Sequence, residues 1–212
     1  MRVVGVDGFA RGWVAVVLDD GRFARASTHR RFADVLALPG IGVVGVDIPI
    51  GLPETQPRTA DVLARQLAGS TVFLTYPRRV LEADTYTEAL ARSRSLRWAG
   101  ISRQSFALRN KILEVDPFVA RDRRIVEVHP ELSFQALARG ALGASKHSWA
   151  GFWRRLRLLA DAGIRLPEDL GRLPLVDVLD AAAAAWSAER YARGKAEPIP
   201  AGHRARLGAI WR

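Results

Sequence analysis

The sequence predicts a mixed α/β fold in which an antiparallel three-strand meander leads into parallel strands flanked by helices. Three observations predict it: two β-branched runs at residues 3–6 and 13–18 joined by a glycine-bearing loop, a further apolar run at Ile41–Val46 reached through a short helical stretch, and helical periodicity over most of the remaining chain. The 212 residues suffice for one full core, and 49% hydrophobic with 25% charged residues is the composition of a folded protein.

Between the first two runs stands Asp7-Gly8-Phe9-Ala10-Arg11-Gly12, which reads as a hairpin loop. Asp19-Asp20-Gly21 gives a second tight turn, since glycine accepts the positive φ such turns need, and residues 22–28 complete the meander. A short helix over residues 31–38 closes at Pro39-Gly40. Ile41–Val46, reached by this helical crossover, is expected to run parallel to an earlier strand. It stops at Asp47, ahead of Ile48-Pro49-Ile50-Gly51-Leu52-Pro53, a loop stiff at its prolines and permissive at its glycine. From about residue 54 to 122 the chain reads as a mainly helical insertion within a single domain spanning 1–212, with its clearest helices at 57–68 and 102–115. Strand character resumes at 124–128. Helices are predicted at 130–139, with Pro130 in the first turn, at 149–162 and at 176–193, and the tail after Pro198 reads as a surface strap.

The net charge of +10 is carried mostly by arginine, Lys111, Lys146 and Lys195 being the only lysines. Such a field favours phosphate-rich partners such as nucleic acid, although arginines spread along the whole chain also fit a general compositional bias. The absence of cysteine excludes disulfides, zinc-thiolate sites and thiol nucleophiles and fits a cytoplasmic protein. No apolar run approaches the roughly 18 residues of a membrane span, so no membrane role is expected; the oligomeric state is left open.

Asp7 and Asp47 each end an apolar run before a glycine- or proline-bearing loop. If their strands are parallel neighbours, the two carboxylates lie side by side and repel unless a cation or proton separates them, and a hard divalent ion such as Mg²⁺ suits oxygen donors. Each acid also has a structural reading: Asp7 orders the Gly8 turn and Asp47 caps the following loop. Asp177 and Asp180 share a face at the start of the last helix, where Ala181 to Ala185 are small enough to let it approach a sheet; helix capping is the alternative. Glu127 lies inside an apolar strand and is either on a solvated face or bound into the site. His129 and Glu131 flank Pro130 at a helix start, Glu131 reading as a first-turn capping acid and His129 as a structural histidine, with a catalytic one as the alternative. Arg58, Asp61 and Arg65 occupy one helical face, as a phosphate-gripping surface or an exposed ion-pair ladder. Lys146, in a polar glycine-flanked loop, is a further candidate phosphate contact, whereas Arg154, Arg155 and Arg157 read as a solvated face.

The ordered blocks Gly5-Val6-Asp7-Gly8 with Gly12-Trp13-Val14, Asp47-Ile48-Pro49-Ile50-Gly51-Leu52-Pro53, Arg58 and Asp61 with Ala64-Arg65, Ser102-Arg103-Gln104, Lys111-Ile112-Leu113-Glu114-Val115-Asp116, Glu127-Val128-His129-Pro130-Glu131, Ser145-Lys146 and Asp177-Val178-Leu179-Asp180-Ala181 resemble the family called domain of unknown function 429, described as predicted ribonuclease H-like nucleases. The resemblance covers most of the chain. After Gly8 the sequence reads Phe9-Ala10-Arg11-Gly12-Trp13, where members often carry Gly-Cys-Arg-Gly-Gly-Trp. The resemblance implies a ribonuclease H-like mixed sheet. By analogy with Holliday-junction resolvases of that fold, it implies a catalytic set of Asp7, Asp47, Asp177 and Asp180, with Glu127 as a further acid. Asp7, Asp47 and Asp180 would hold Mg²⁺ or Mn²⁺, and Arg58, Arg65 and Lys146 would bind substrate. The expected activity is metal-dependent phosphodiester cleavage of nucleic acid. The alternatives are a non-catalytic nucleic-acid or protein-binding module and an actin-like nucleotide binder, for which the chain is short.

Overall fold

The β-branched runs of the first 29 residues form three strands, β1 (Arg2–Phe9), β2 (Gly12–Asp19) and β3 (Arg22–His29), followed by α1 (Phe32–Leu36) and β4 (Ile41–Val46). Helices α2 (Thr59–Ala68), α3 (Arg78–Leu81), α4 (Tyr86–Ser95), α5 (Arg103–Ala107) and α6 (Arg109–Val119) separate β4 from β5 (Ile125–Glu127). The chain continues through α7 (Pro130–Ala138), α8 (Trp149–Asp161), α9 (Leu175–Ala192), β6 (Pro198–Ile199) and β7 (Ile210–Trp211). This computed structural model describes residues 1–98 and 100–212.

Five strands make one mixed sheet in the order β3-β2-β1-β4-β5. β1 is antiparallel to β2 and parallel to β4, and β5 is parallel to β4. The expected meander with parallel strands beyond it is therefore present. Its first hairpin differs from the expected loop: pairing continues through Asp7↔Val14 to Phe9↔Gly12, which leaves Ala10-Arg11 as the turn. Gly12, at φ 147°, holds a backbone shape that favours glycine and lets the strand extend one residue further. Asp7 thus lies within β1 and not at its end. The parallel ladder with β4, however, stops at Val6↔Val46, so Asp7 projects just beyond it.

Alternation along the strands divides the core in two. Val4, Val6, Val44 and Val46 face α1 and the helices between β4 and β5, with Trp13, Phe32, Ile112 and Val115. Val3, Val14, Val16 and Leu18 face α7, α8 and α9, with Phe134, Leu159 and Val178. α9 lies almost against the sheet backbone. A Cβ on Gly5 would stand 2.0 Å from Ala181 O and Ala185 N, and one on Gly45 would stand 2.8 Å from Ala184 O. Two strand glycines and the run of helix alanines therefore form one close-packed seam.

The predicted helix at residues 102–115 is two helices, α5 and α6, and α6 continues through Pro117 to Val119. The tail is not a mere surface strap. Ala209, Ile210 and Trp211 are buried, Trp211 bridges in parallel to Val128, and Arg206 donates to Val119 O and Ile125 O at 2.7 Å each. It covers the otherwise open edge beside β5. Among the described residues, no helix is long and apolar enough to cross a membrane.

Candidate functional site

The glycine seam fixes where the acids go. Asp7 follows Gly5 by two residues and Asp47 follows Gly45 by two, so both project to the α9 side of the sheet. Asp47 N donates to Val6 O at 2.9 Å, which keeps the two strands in register at this point. On α9, Asp180 lies one turn before Ala184, the residue over Gly45, and Asp177 lies a further turn back. The helix start is N-capped by Pro174, so Asp177 is a first-turn acid and not the cap.

The four acids are linked electrostatically through Asp7 and Asp180. The Asp7 carboxyl is pushed well above its usual range by burial first, then by Asp47, Asp180 and Asp177, with Lys146 opposing. Asp47 is raised to about 6, chiefly by burial and by Asp180, against the pull of His129 and Lys146. Burial raises Asp180 against the pull of Lys146, Arg155 and His129; burial and Asp180 raise Asp177. Asp7 also accepts a hydrogen bond from Gly8 N at 2.8 Å, so the local ordering role read from sequence coexists with the electrostatic one.

Cations surround the cluster. Lys146 Nζ donates to Asp180 Oδ2, and the carboxylates of Asp180, Asp7 and Asp47 hold its ammonium charged against the effect of burial. Its loop is built onto the start of α8. Ser148 Oγ donates to Ser145 O and accepts from Gly151 N, and a Cβ on Gly151 would stand 1.9 Å from Ser145 O. Arg155 completes the clamp, with Nη1 on Ala144 O at 3.1 Å and Nη2 on Glu131 Oε2 at 2.7 Å. Arg155 is only 2% exposed, which corrects its reading as part of a solvated face. Glu131 is more than a helix-start acid, because it is the partner of that buried guanidinium. Near Asp7, Lys111 Nζ lies over the Trp13 ring at 4.2 Å and donates to Gly12 O. Glu114, on the same helix, accepts from Trp13 Nε1 at 3.0 Å and Phe32 N at 2.6 Å, so α6 pins the hairpin that carries Asp7.

Glu127, which shares a cavity lining with Asp7 and Asp47, is tied to Arg58 instead of to the other acids. Arg58 Nη1 donates to Glu127 Oε2 at 2.7 Å and Nη2 to Glu127 Oε1 at 2.6 Å, while Ile50 N donates to the same carboxylate at 2.8 Å. Arg58 also pairs with Asp61 and reaches Ile50 O. The structure gives both a bracing role: Glu127 is anchored by Arg58 and Ile50 N, and the donors of Arg58 are taken up by Glu127, Asp61 and Ile50 O. The group braces the loop after Asp47 against β5 and α2. The Arg58–Asp61 pair is likewise no exposed ladder, and only Arg65 of that helical face is exposed.

Asp47, Asp180, Lys146 and His129 line an open cleft of about 730 Å³. His129, read from the sequence as structural and not catalytic, also lines the cleft. It stands two residues past the end of β5, acts on both Asp47 and Asp180, has Nε2 at 3.3 Å from Thr71 O, and has a buried Nδ1 without a hydrogen-bond partner among the described residues. Its place just past a parallel strand was the available signal. Among the described residues, no three His, Cys, Asp or Glu side chains are arranged to hold a metal ion, and Asp180 is paired with Lys146. The donor chemistry nevertheless suits a hard divalent cation. Asp7 and Asp47 are adjacent oxygen donors with no ion pair among the described residues, and a cation would relieve their repulsion.

A family model described as a protein of unknown function, DUF429, matches residues 5–205. No curated protein and no solved structure matches the chain.

Proposed function

Because the chain belongs to the DUF429 family, whose function is unknown, its chemistry has to be argued from the site, and we propose that it is a divalent-metal-dependent phosphodiesterase acting on nucleic acid. The observation that carries this reading is the convergence of Asp7, Asp47, Asp177 and Asp180, from two strands and a helix, into one cluster in which the other three raise Asp7, and Asp180 raises Asp47 and Asp177. The sheet order β3-β2-β1-β4-β5, with its antiparallel meander and parallel outer strands, supports a ribonuclease H-like frame for it. Asp7 and Asp47 would hold Mg²⁺ or Mn²⁺, with Asp180 joining them when Lys146 moves to a substrate phosphate. When bound, the ion supplies the charge that activates water and offsets the developing charge on the phosphate. Lys146 positions the phosphodiester as a point charge on a clamped loop. The net charge of +10 draws a polyanion toward the cleft.

The test is Mg²⁺- or Mn²⁺-dependent cleavage of structured DNA and RNA. Wild type is expected to cleave, and Asp7→Asn and Asp47→Asn to lose roughly a hundredfold or more. Cleavage indifferent to both substitutions would overturn the reading. One observation favours a non-catalytic nucleic-acid-binding module: Lys146 already neutralises Asp180. Salt-sensitive binding without cleavage, unchanged in the two variants, would select it.

A further inference from the structure

Beside the acids lies a second, smaller cavity of about 130 Å³, with Asp7 and Asp47 at its wall together with Phe73, Thr75, Tyr76 and Leu108. It shares Asp47, Phe73, Leu108 and His129 with the open cleft, so the two spaces adjoin at the carboxylates. Thr75 is 2% exposed, and its Oγ1 has no hydrogen-bond partner among the described residues. Its backbone is fixed, since Thr75 N donates to Asp61 Oδ2 at 2.8 Å. A buried hydroxyl held in place without a partner is costly and calls for a group that completes it.

We propose that this cavity receives one unstacked nucleobase of the substrate, whose backbone phosphate then lies at Asp7 and Asp47; the inference rests on the nucleic-acid reading of the site. The cavity chemistry selects that occupant. An aliphatic group would fill the apolar walls and leave the Thr75 hydroxyl unpaired. A cation would be held by Asp7 and Asp47 at the wall, since Asp61 and Glu127 are already bound to Arg58, and would leave the apolar interior unfilled, whereas an anionic group would be repelled by Asp7 and Asp47. A neutral flat ring with a hydrogen-bonding edge suits the aromatic side chains of Phe73 and Tyr76 and pairs with Thr75. Volume sets the limit at a single base, so a duplex must release a nucleotide to engage the site.

The experiment is equilibrium binding of a short single-stranded oligonucleotide to the full chain in Ca²⁺, with an abasic unit placed at each position in turn. One position is expected to weaken binding by roughly tenfold when its base is removed. Thr75→Val, nearly isosteric, should weaken the base-bearing strand by roughly threefold to tenfold and leave the strand abasic at that position unaffected. Thr75→Ser should recover most of the loss. Thermal unfolding of both variants confirms that they are folded. Uniform tolerance of abasic units, wild-type binding by Thr75→Val, or no oligonucleotide binding at all overturns the proposal; in the first two cases the cavity holds only ordered water. Base-dependent binding without cleavage that needs Asp7 and Asp47 would retain the base pocket and reject the nuclease reading. Acid-dependent cleavage indifferent to the base would do the reverse.

Discussion

Asp47 and Glu127 are acids at the ends of neighbouring parallel strands, and the protein treats them in opposite ways. Glu127 is held by a bidentate Arg58 and by Ile50 N, whereas Asp47 has no ion-pair partner among the described residues and sits beside like charges. Glu127→Ala leaves the Arg58 guanidinium buried against Asp61 alone and should cost about 3–5 kcal/mol in urea unfolding. Asp47→Asn removes a repulsion and should raise the stability of the cation-free protein by about 1–3 kcal/mol above neutral pH. Both substitutions delete one carboxylate, and only the sign of the stability change separates an anchor from a working group. Sequence makes both acids conspicuous, because an acid closing an apolar run is visible locally. It does not reveal their difference, since the Arg58 that neutralises Glu127 is 69 residues away. Arg155 escaped for the same reason: it reads as exposed within its own helix, while its partners Glu131 and Ala144 belong to other segments.

α9 delivers Asp177 and Asp180 because Gly5 and Gly45 let it settle onto the strands. The alanine run made close approach to a sheet legible, whereas the two glycines became meaningful only once the helix was seen to lie on them. Gly5→Ala puts a methyl group into the α9 backbone. It should destabilise the protein by about 3 kcal/mol or more, and it should lower the proposed cleavage activity through displacement of Asp180. Gly42→Ala is the matched control. Its Cβ would have nothing nearer than Arg2 O at 3.6 Å, and stability should stay within about 0.5 kcal/mol. Denaturant midpoints of the two variants check the contrast, and equal shifts would refute the seam. Strand and helix identities were otherwise readable from periodicity, with the main errors where long-range pairing overrides local signals. Asp7 to Phe9 extend β1 because β2 pairs with them, and the tail is drawn in by Val128 and the β5 edge.

At the scale of the molecule, the acid cluster ties stability to pH and, on the proposed reading, to divalent cations. The folded carboxyl of Asp47 sits at about 6 and that of Asp7 is also raised, against an ordinary value of 3.8, so the folded state binds more protons than the unfolded one between those values. Stability contributed by these groups is therefore complete at low pH and is lost as pH rises through their folded pKa values. Thermal unfolding without divalent ions should show wild type losing ground to Asp47→Asn between about pH 4 and about pH 7. Added Mn²⁺ should raise the wild-type midpoint more at about pH 7.5 than at about pH 5, because the ion binds the deprotonated acids. A midpoint difference that is flat with pH would contradict the linkage. The most direct measurement is calorimetric titration of Mn²⁺ into the full chain near neutral pH, which requires no knowledge of the substrate. The account predicts saturable binding to wild type, weakened at least about tenfold by Asp7→Asn and by Asp47→Asn and unchanged by Glu127→Gln. Binding that is absent in wild type, or equal in all four proteins, would contradict it.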